Sequence, residues 1–236
     1  MSGSELFFGC LLVSIIPALI WLSFWLKEDE QNPEPRGFIV LAFLGGMMAV
    51  FIASFFEHAT KGMFPSNQTT FLWAGIEEIV KLIIFMLIVA PSQYLDEPID
   101  PPIYMITIAL GFAALENGLF LIDTLSNGNL ADGVIAQSLR FIGASLLHVI
   151  ASGMIGMSIG MAFFGTPLKK AIMMVVGLIL AILLHSLFNF SILDGNGKNI
   201  FQVFSIVWVV GIIMLLLFEK VKQIGRSYLP VTAPTQ

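Results

Sequence analysis

Charge is what this chain has least of. Only 11% of its 236 residues are Asp, Glu, Lys or Arg, where a soluble domain of that size carries about 25%. An integral membrane protein is therefore expected, with no long soluble domain at either end. The net charge of −5 says little, because the charges that remain fall mostly in short loops. No basic stripe exists, which argues against nucleic acid as a partner. Cysteine is almost absent as well. Cys10 is the single one, so an intrachain disulfide and a thiolate zinc cluster are excluded, and Cys10 reads as a small packing residue. There is no HExxH zinc motif; Glu57 and His58 have no second His at the required spacing. A basic n-region is missing before the first apolar stretch, 6–26, which is long enough to span a bilayer and reads as a retained first helix.

What the chain has is apolar length. Hydrophobic residues make up 57% of it, and its mean hydropathy is +0.92. Seven stretches, 5–26, 37–56, 71–90, 103–123, 138–164, 169–191 and 200–218, suit helices that cross about 30 Å of hydrocarbon. The fold expected is an all-α polytopic transmembrane bundle. It forms a single integral membrane domain over 1–236, with a motif-bearing core at about 71–191. The breaks are the charged, Pro-rich 27–36, the turn at 65–67, an acidic loop bracketed by Pro91, Pro98, Pro101 and Pro102, the Asn/Gly/Asp loop at 127–133, Gly165-Thr166-Pro167 and Asp194-Gly195-Asn196-Gly197. Lys27, Arg36, Lys169, Lys170, Lys220, Lys222 and Arg226 fall on one side. Lys61 and Lys198 fall on the other, with Arg140 snorkelling from just inside a helix. That bias places the N-terminus outside and the C-terminus in the cytoplasm. Trp21, Trp25, Trp73 and Trp208 read as belt or packing residues, and Gly156-x-x-x-Gly160 as a close helix contact.

Against this background a few polar residues stand out. Glu77, Glu78 and Lys81 lie inside the third stretch, Glu116 and Asn117 inside the fourth, His148 inside the fifth, and His185 and Asn189 inside the sixth. Charge at such depth costs at least a few kcal/mol per residue. At a rise of about 1.5 Å per residue, Glu77 lies roughly 9 Å, Glu116 roughly 10 Å, His148 roughly 15 Å and His185 roughly 9 Å below the same surface. Four helices thus bring ionisable groups to one layer. Glu77 with Lys81, and His185 with Asn189, are at i,i+4 and share a face. Lipid exposure would be too costly, so these faces are expected to turn inward.

A carboxylate in a poorly solvated site can act as a general base toward water. A neutral imidazole can bind a metal or polarise a carbonyl, and Asn can donate to a developing oxyanion. The set suits hydrolysis with water as nucleophile. Two His and one or two Glu can hold Zn²⁺ with an open position; a Glu and a His activating water without metal is equally consistent. For Glu77 and Glu78 the plainer alternative is neutralisation by Lys81, but one Glu would suffice for that. Lys81 itself reads as a charge partner, and Asn117 as a partner residue between helices.

In order along the chain, Glu77-Glu78-x-x-Lys81 resembles the EExxK motif of the PrsW family of membrane proteases, within the larger Abi/CAAX-protease group. Phe112-Ala-Ala-Leu-Glu116-Asn117 resembles the second motif, His148 stands at the third, and His185-Ser-Leu-Phe-Asn189 resembles the final HxxxN. The resemblance implies peptide-bond hydrolysis in or near a prokaryotic cell membrane, on a membrane-anchored substrate of the anti-sigma-factor type. It implies Glu77 as the water-activating base and Glu78 as an assisting or structural carboxylate. His148, His185 and Asn189 are then substrate-polarising or metal-binding groups, and Glu116 completes the pocket. With a metal such as Zn²⁺, the ligands expected are Glu77, His148 and His185. Glu116 stands where the CAAX branch carries His, which turns the reading away from prenylated substrates.

The rival class is a proton-coupled transporter or carrier, since intramembrane Glu, Lys and His also build proton relays. That class predicts pseudo-symmetric halves with broken helices at the midplane; no inverted repeat is visible here, and the polar groups sit nearer one surface. A scaffold that binds a partner helix through small-residue faces leaves Glu77, Glu78 and His185 unexplained.

Overall fold

Inside hydrocarbon a backbone must satisfy its own hydrogen bonds, and helices do so within one segment. The computed structural model describes residues 3–27, 32–127, 143–193 and 200–228, and these form seven α-helices and no strand. They are α1 (Gly3–Lys27), α2 (Arg36–Thr60), α3 (Ser66–Ile84), α4 (Asp100–Asn127), α5 (Ala144–Met161), α6 (Pro167–Leu193) and α7 (Ile200–Tyr228). Six of them are long and apolar enough to cross a membrane; α3 is the exception, its interior holding Glu77, Glu78 and Lys81. The chain is a polytopic helical bundle.

Several boundaries differ from the apolar stretches, each for a physical reason. The third helix begins at Ser66 rather than 71, and it runs on through a π-helical turn, Phe85–Val89, closed by Ala90 N–H to Phe85 O at 3.0 Å. The fourth begins at Asp100. Pro101 and Pro102 therefore belong to its first turn, where no intrahelical N–H is required, and not to the preceding loop. The last helix continues beyond 218 to Tyr228. Its charged extension opens with the good helix formers Glu219, Lys220, Lys222 and Gln223, carries a Lys222–Glu219 pair at 3.2 Å, and still buries Val221. Residues 28–31, 128–142 and 194–199 lie outside the described residues, with the expected loops there, the start of the fifth stretch, Arg140 and Lys198; so does the Arg226 side chain.

The centre of the bundle is α4, which packs against α1, α2 and α5; α5 also meets α6 and α7, and α3 lies against α2 and α6. Ile103 to Leu115 of α4 are buried all round. The outer faces of α1, α2, α6 and α7 expose Leu12, Phe55, Ile179 and Leu216, as lipid contact requires. Backbone crosses backbone where α2 meets α4: a Cβ on Gly46 would stand 2.0 Å from Ile108 O, and one on Gly111 2.0 Å from Phe43 O. Gly156 makes a helix contact of the same kind against Pro101 and Pro102 of α4, whereas Gly160 packs on the carbonyl of Pro98, just before that helix, and on Val221. Cys10 is buried.

Candidate active site

Close packing of α3, α4, α5 and α6 brings their polar residues together. Glu78 and Lys81 are fully buried, and Glu77, His148 and His185 are nearly so. Lys81 Nζ lies 2.8 Å from Glu78 Oε1 and 3.6 Å from Glu77 Oε2. It also lies 2.8 Å from His148 Nδ1, and 4.2 Å from the centre of the Phe112 ring. An ammonium only donates, so Nδ1 of His148 accepts, and His148 Nε2–H donates to Glu116 Oε2 at 3.1 Å. Glu78 Oε1 likewise accepts from His185 Nδ1–H at 2.9 Å, and Glu78 Oε2 accepts from Ser152 Oγ at 2.7 Å. In a neutral His185 ring the lone pair is then on Nε2, which faces Glu77 Oε2 at 3.8 Å. The two imidazoles meet edge to face, 5.0 Å apart.

One atom in this cluster stands apart. Glu77 Oε2 is buried and has no hydrogen-bond partner among the described residues. It looks toward His185 Nε2 at 3.8 Å and His148 Nδ1 at 3.9 Å. Buried acceptors are nearly always bonded, so an open one between two imidazoles is a place for a ligand. Glu77, His148 and His185 offer ligand atoms within 4.8 Å of one another. The donor set fits a catalytic zinc site, two His and one Glu with an open position. Each imidazole is also held from behind by a carboxylate, His185 by Glu78 and His148 by Glu116, as ligating histidines usually are. Lys81 and a metal ion would, however, approach the same nitrogen of His148.

Of the residues expected from the sequence, Glu77, Glu78, Lys81, Glu116, His148 and His185 come together. Asn117 turns aside and donates to Ser145 Oγ at 3.0 Å. Asn189 lies one turn beyond His185, partly buried, and makes no hydrogen bond with the cluster. Two participants escape a reading of the sequence. Ser152 sits four residues after His148, a spacing that shares a face, and this spacing is the signal that points to it. Glu57, on α2, is partly buried and within electrostatic reach of Glu77, Glu116, Lys81 and His185; nothing in the sequence links α2 to the cluster.

Comparison with known proteins places this geometry. The family model described as PrsW family intramembrane metalloprotease matches residues 34–217. Protease PrsW of Geobacillus kaustophilus is 28% identical over 235 residues, 96% of this chain and 97% of its own length. Protease PrsW of Halalkalibacterium halodurans is 26% identical over 223 residues, 93% of this chain and 100% of its own. That of Bacillus subtilis is 27% identical over 187 residues, 78% and 82% of the two chains. No solved structure matches. A proton-coupled carrier is not favoured by these matches. The bundle is thus a multi-pass prokaryotic membrane protein that acts on protein substrates, and it belongs to the PrsW family of intramembrane metalloproteases.

Proposed function

We propose that this protease cuts a membrane-anchored protein of the anti-sigma-factor kind, using water activated by Glu77. The observation that carries the reading is the buried, unbonded Oε2 of Glu77 between the two imidazoles. Glu78 is the poorer base, because three donors already hold its two oxygens. Glu77 takes a proton as water oxygen bonds to the scissile carbonyl carbon, and returns it to the leaving nitrogen as the C–N bond breaks. Asn189, together with His185 in its doubly protonated form, whose Nε2–H can donate, stabilises the tetrahedral oxyanion. Their i,i+4 spacing on α6 supports that pairing. His148 and Glu116 complete the pocket, and Lys81 balances the two glutamates.

Glu77, His148 and His185 are the residues that would hold Zn²⁺; when bound, it supplies Lewis-acid polarisation of the carbonyl and a more acidic water. Glu77 keeps a second oxygen for the proton when one is engaged. The lysine and arginine bias supports an outer N-terminus and a cytoplasmic C-terminus. The site then lies roughly 10 Å below the outer surface, suited to a cut near the outer end of a substrate helix. The whole of 1–236 acts as one membrane domain around the core at 71–191.

The test uses purified protein in detergent with a membrane-protein substrate. Glu77→Ala and His185→Ala are each expected to abolish cleavage while the protein stays folded. Wild-type cleavage by either variant would end this assignment. Metal analysis of the same preparation, with a chelator control, decides the zinc.

A further inference from the structure

Hydroxyl groups on these helices mostly bond to their own backbone. Ser23, Thr107, Thr124, Ser158 and Ser191 each donate to a carbonyl three or four residues back, the usual habit of a serine or threonine inside a helix. Ser152 does otherwise. It is fully buried, and its Oγ reaches from α5 to Glu78 Oε2 on α3 at 2.7 Å. Its proton goes to a carboxylate within the cluster.

The consequence lies in how Glu78 is held. Its Oε1 accepts twice, from Lys81 Nζ at 2.8 Å and from His185 Nδ1–H at 2.9 Å. Its Oε2 accepts from Ser152. The last torsion of a Glu side chain is broad and soft, so the plane of this carboxylate is set by its donors and not by the chain. Without the Ser152 hydroxyl, Oε2 loses the donor that fixes it. The carboxylate can then turn and share Lys81 and His185 between its two oxygens. His185 no longer has one fixed acceptor behind Nδ1–H, and the ring is released from the orientation that aims Nε2 at Glu77 Oε2.

We propose that Ser152 is a positioning residue of the hydrolytic site: by pinning Glu78 Oε2 it locks Glu78 Oε1 onto His185 Nδ1–H and so aims His185 Nε2 at Glu77. Its effect on cleavage rests on the reading of His185 as a site residue, whereas its effect on the ring does not.

The experiment has two arms on the full chain in detergent micelles. The first exploits the chain's three histidines. Labelling them with ¹⁵N, with His185→Gln to assign the signals, reads which nitrogen of His185 carries the proton. The wild type is expected to hold it on Nδ1. Ser152→Ala, and Ser152→Cys, whose thiol is a weak donor of similar size, are expected to give a mixture of tautomers. The second arm is kinetic. Both variants should lower kcat about ten- to hundred-fold, the usual cost of removing an outer partner of a site histidine, with KM unchanged. In a Glu78→Ala background the Ser152 substitutions should leave the His185 tautomer ratio where Glu78→Ala alone sets it, since the partner they act through is gone. The proposal is overturned if both Ser152 variants keep the wild-type His185 tautomer, or if they shift the ratio further without Glu78. If the wild type cleaves no substrate at all, the proteolytic reading fails instead, and the ¹⁵N arm alone decides the role of Ser152.

Discussion

The two ends of α4 carry polar networks of opposite character. At its start, Tyr104 OH donates to Glu34, while Asp100 Oδ2 accepts from the backbone N–H of Asp96 and of Glu97. Asn32 donates to Glu97 Oε1 at 2.9 Å. Those carboxylates bond to backbone and to neutral donors, and together they tie the α1–α2 linker to the beginning of a helix. Toward its other end, Glu116 enters a network of two imidazoles, one ammonium and two further carboxylates, and that network stops at an oxygen with no hydrogen bond among the described residues. Both ends are acidic and partly buried, so charge and burial do not distinguish them. The open acceptor does: one network is closed on itself and reads as structure, the other leaves an atom free for chemistry.

The comparison breaks first at Glu77. Glu77→Gln is expected to lower kcat by about 10²–10⁴-fold, the worth of a general base, with the thermal transition in place. Asp100→Asn at the other end should leave the rate at the wild-type level, and equal losses from both would erase the distinction drawn between the networks. Next comes Lys81→Met, which strands the buried carboxylate of Glu78 and should cost about 3–5 kcal/mol of stability, read from denaturant or thermal unfolding in detergent. The paired variant Glu78→Leu/Lys81→Met should recover much of that stability and none of the activity. Chelation is expected to remove activity without unfolding the bundle, and added Zn²⁺ to restore it; Glu77→Gln should also retain less metal on analysis.

Smaller effects sharpen the structural side. Gly111→Ala forces a Cβ against Phe43 O and should cost about 1–3 kcal/mol, as overpacking does. The smallest effect is expected at Glu34. Burial, reinforced by the charges of Asp96 and Glu97, pushes its carboxyl above the usual range, and hydrogen bonds with Asp100 and Tyr104 oppose this. A carboxyl raised on folding stabilises the protein at pH below its unfolded value, and that contribution is lost as pH rises through the folded value. Thermal stability should therefore slope downward over that interval, and Glu34→Gln should flatten the slope while cleavage stays unchanged.

Much of the site was legible beforehand because its signals are local. Glu77, Glu78, Lys81, Glu116, His148 and His185 are each costly where they stand, and counting residues along alternating helices put them at one depth. Ser152 was only faintly legible: its spacing from His148 marks a shared face, but serine inside a membrane helix ordinarily bonds to its own backbone. Glu57 was hidden for a different reason: it lies near the end of α2, where a charge needs no explanation, and only the packing of α2 on α3 carries it toward the cluster. The extension of α7 past its apolar part was missed because hydropathy marks where lipid ends, not where a helix does.

By itself, the sequence determined that the chain is a bundle of membrane helices and that a small set of acids, imidazoles and one lysine must turn away from lipid. Hydropathy and helical spacing are properties of single segments, and a backbone in hydrocarbon has little alternative to the helix. Tertiary structure alone decided which nitrogen faces which oxygen, that Glu78 is saturated and Glu77 is not, and that a serine holds the arrangement. Those facts depend on the rotation of four helices about their own axes, which is set by the packing between them.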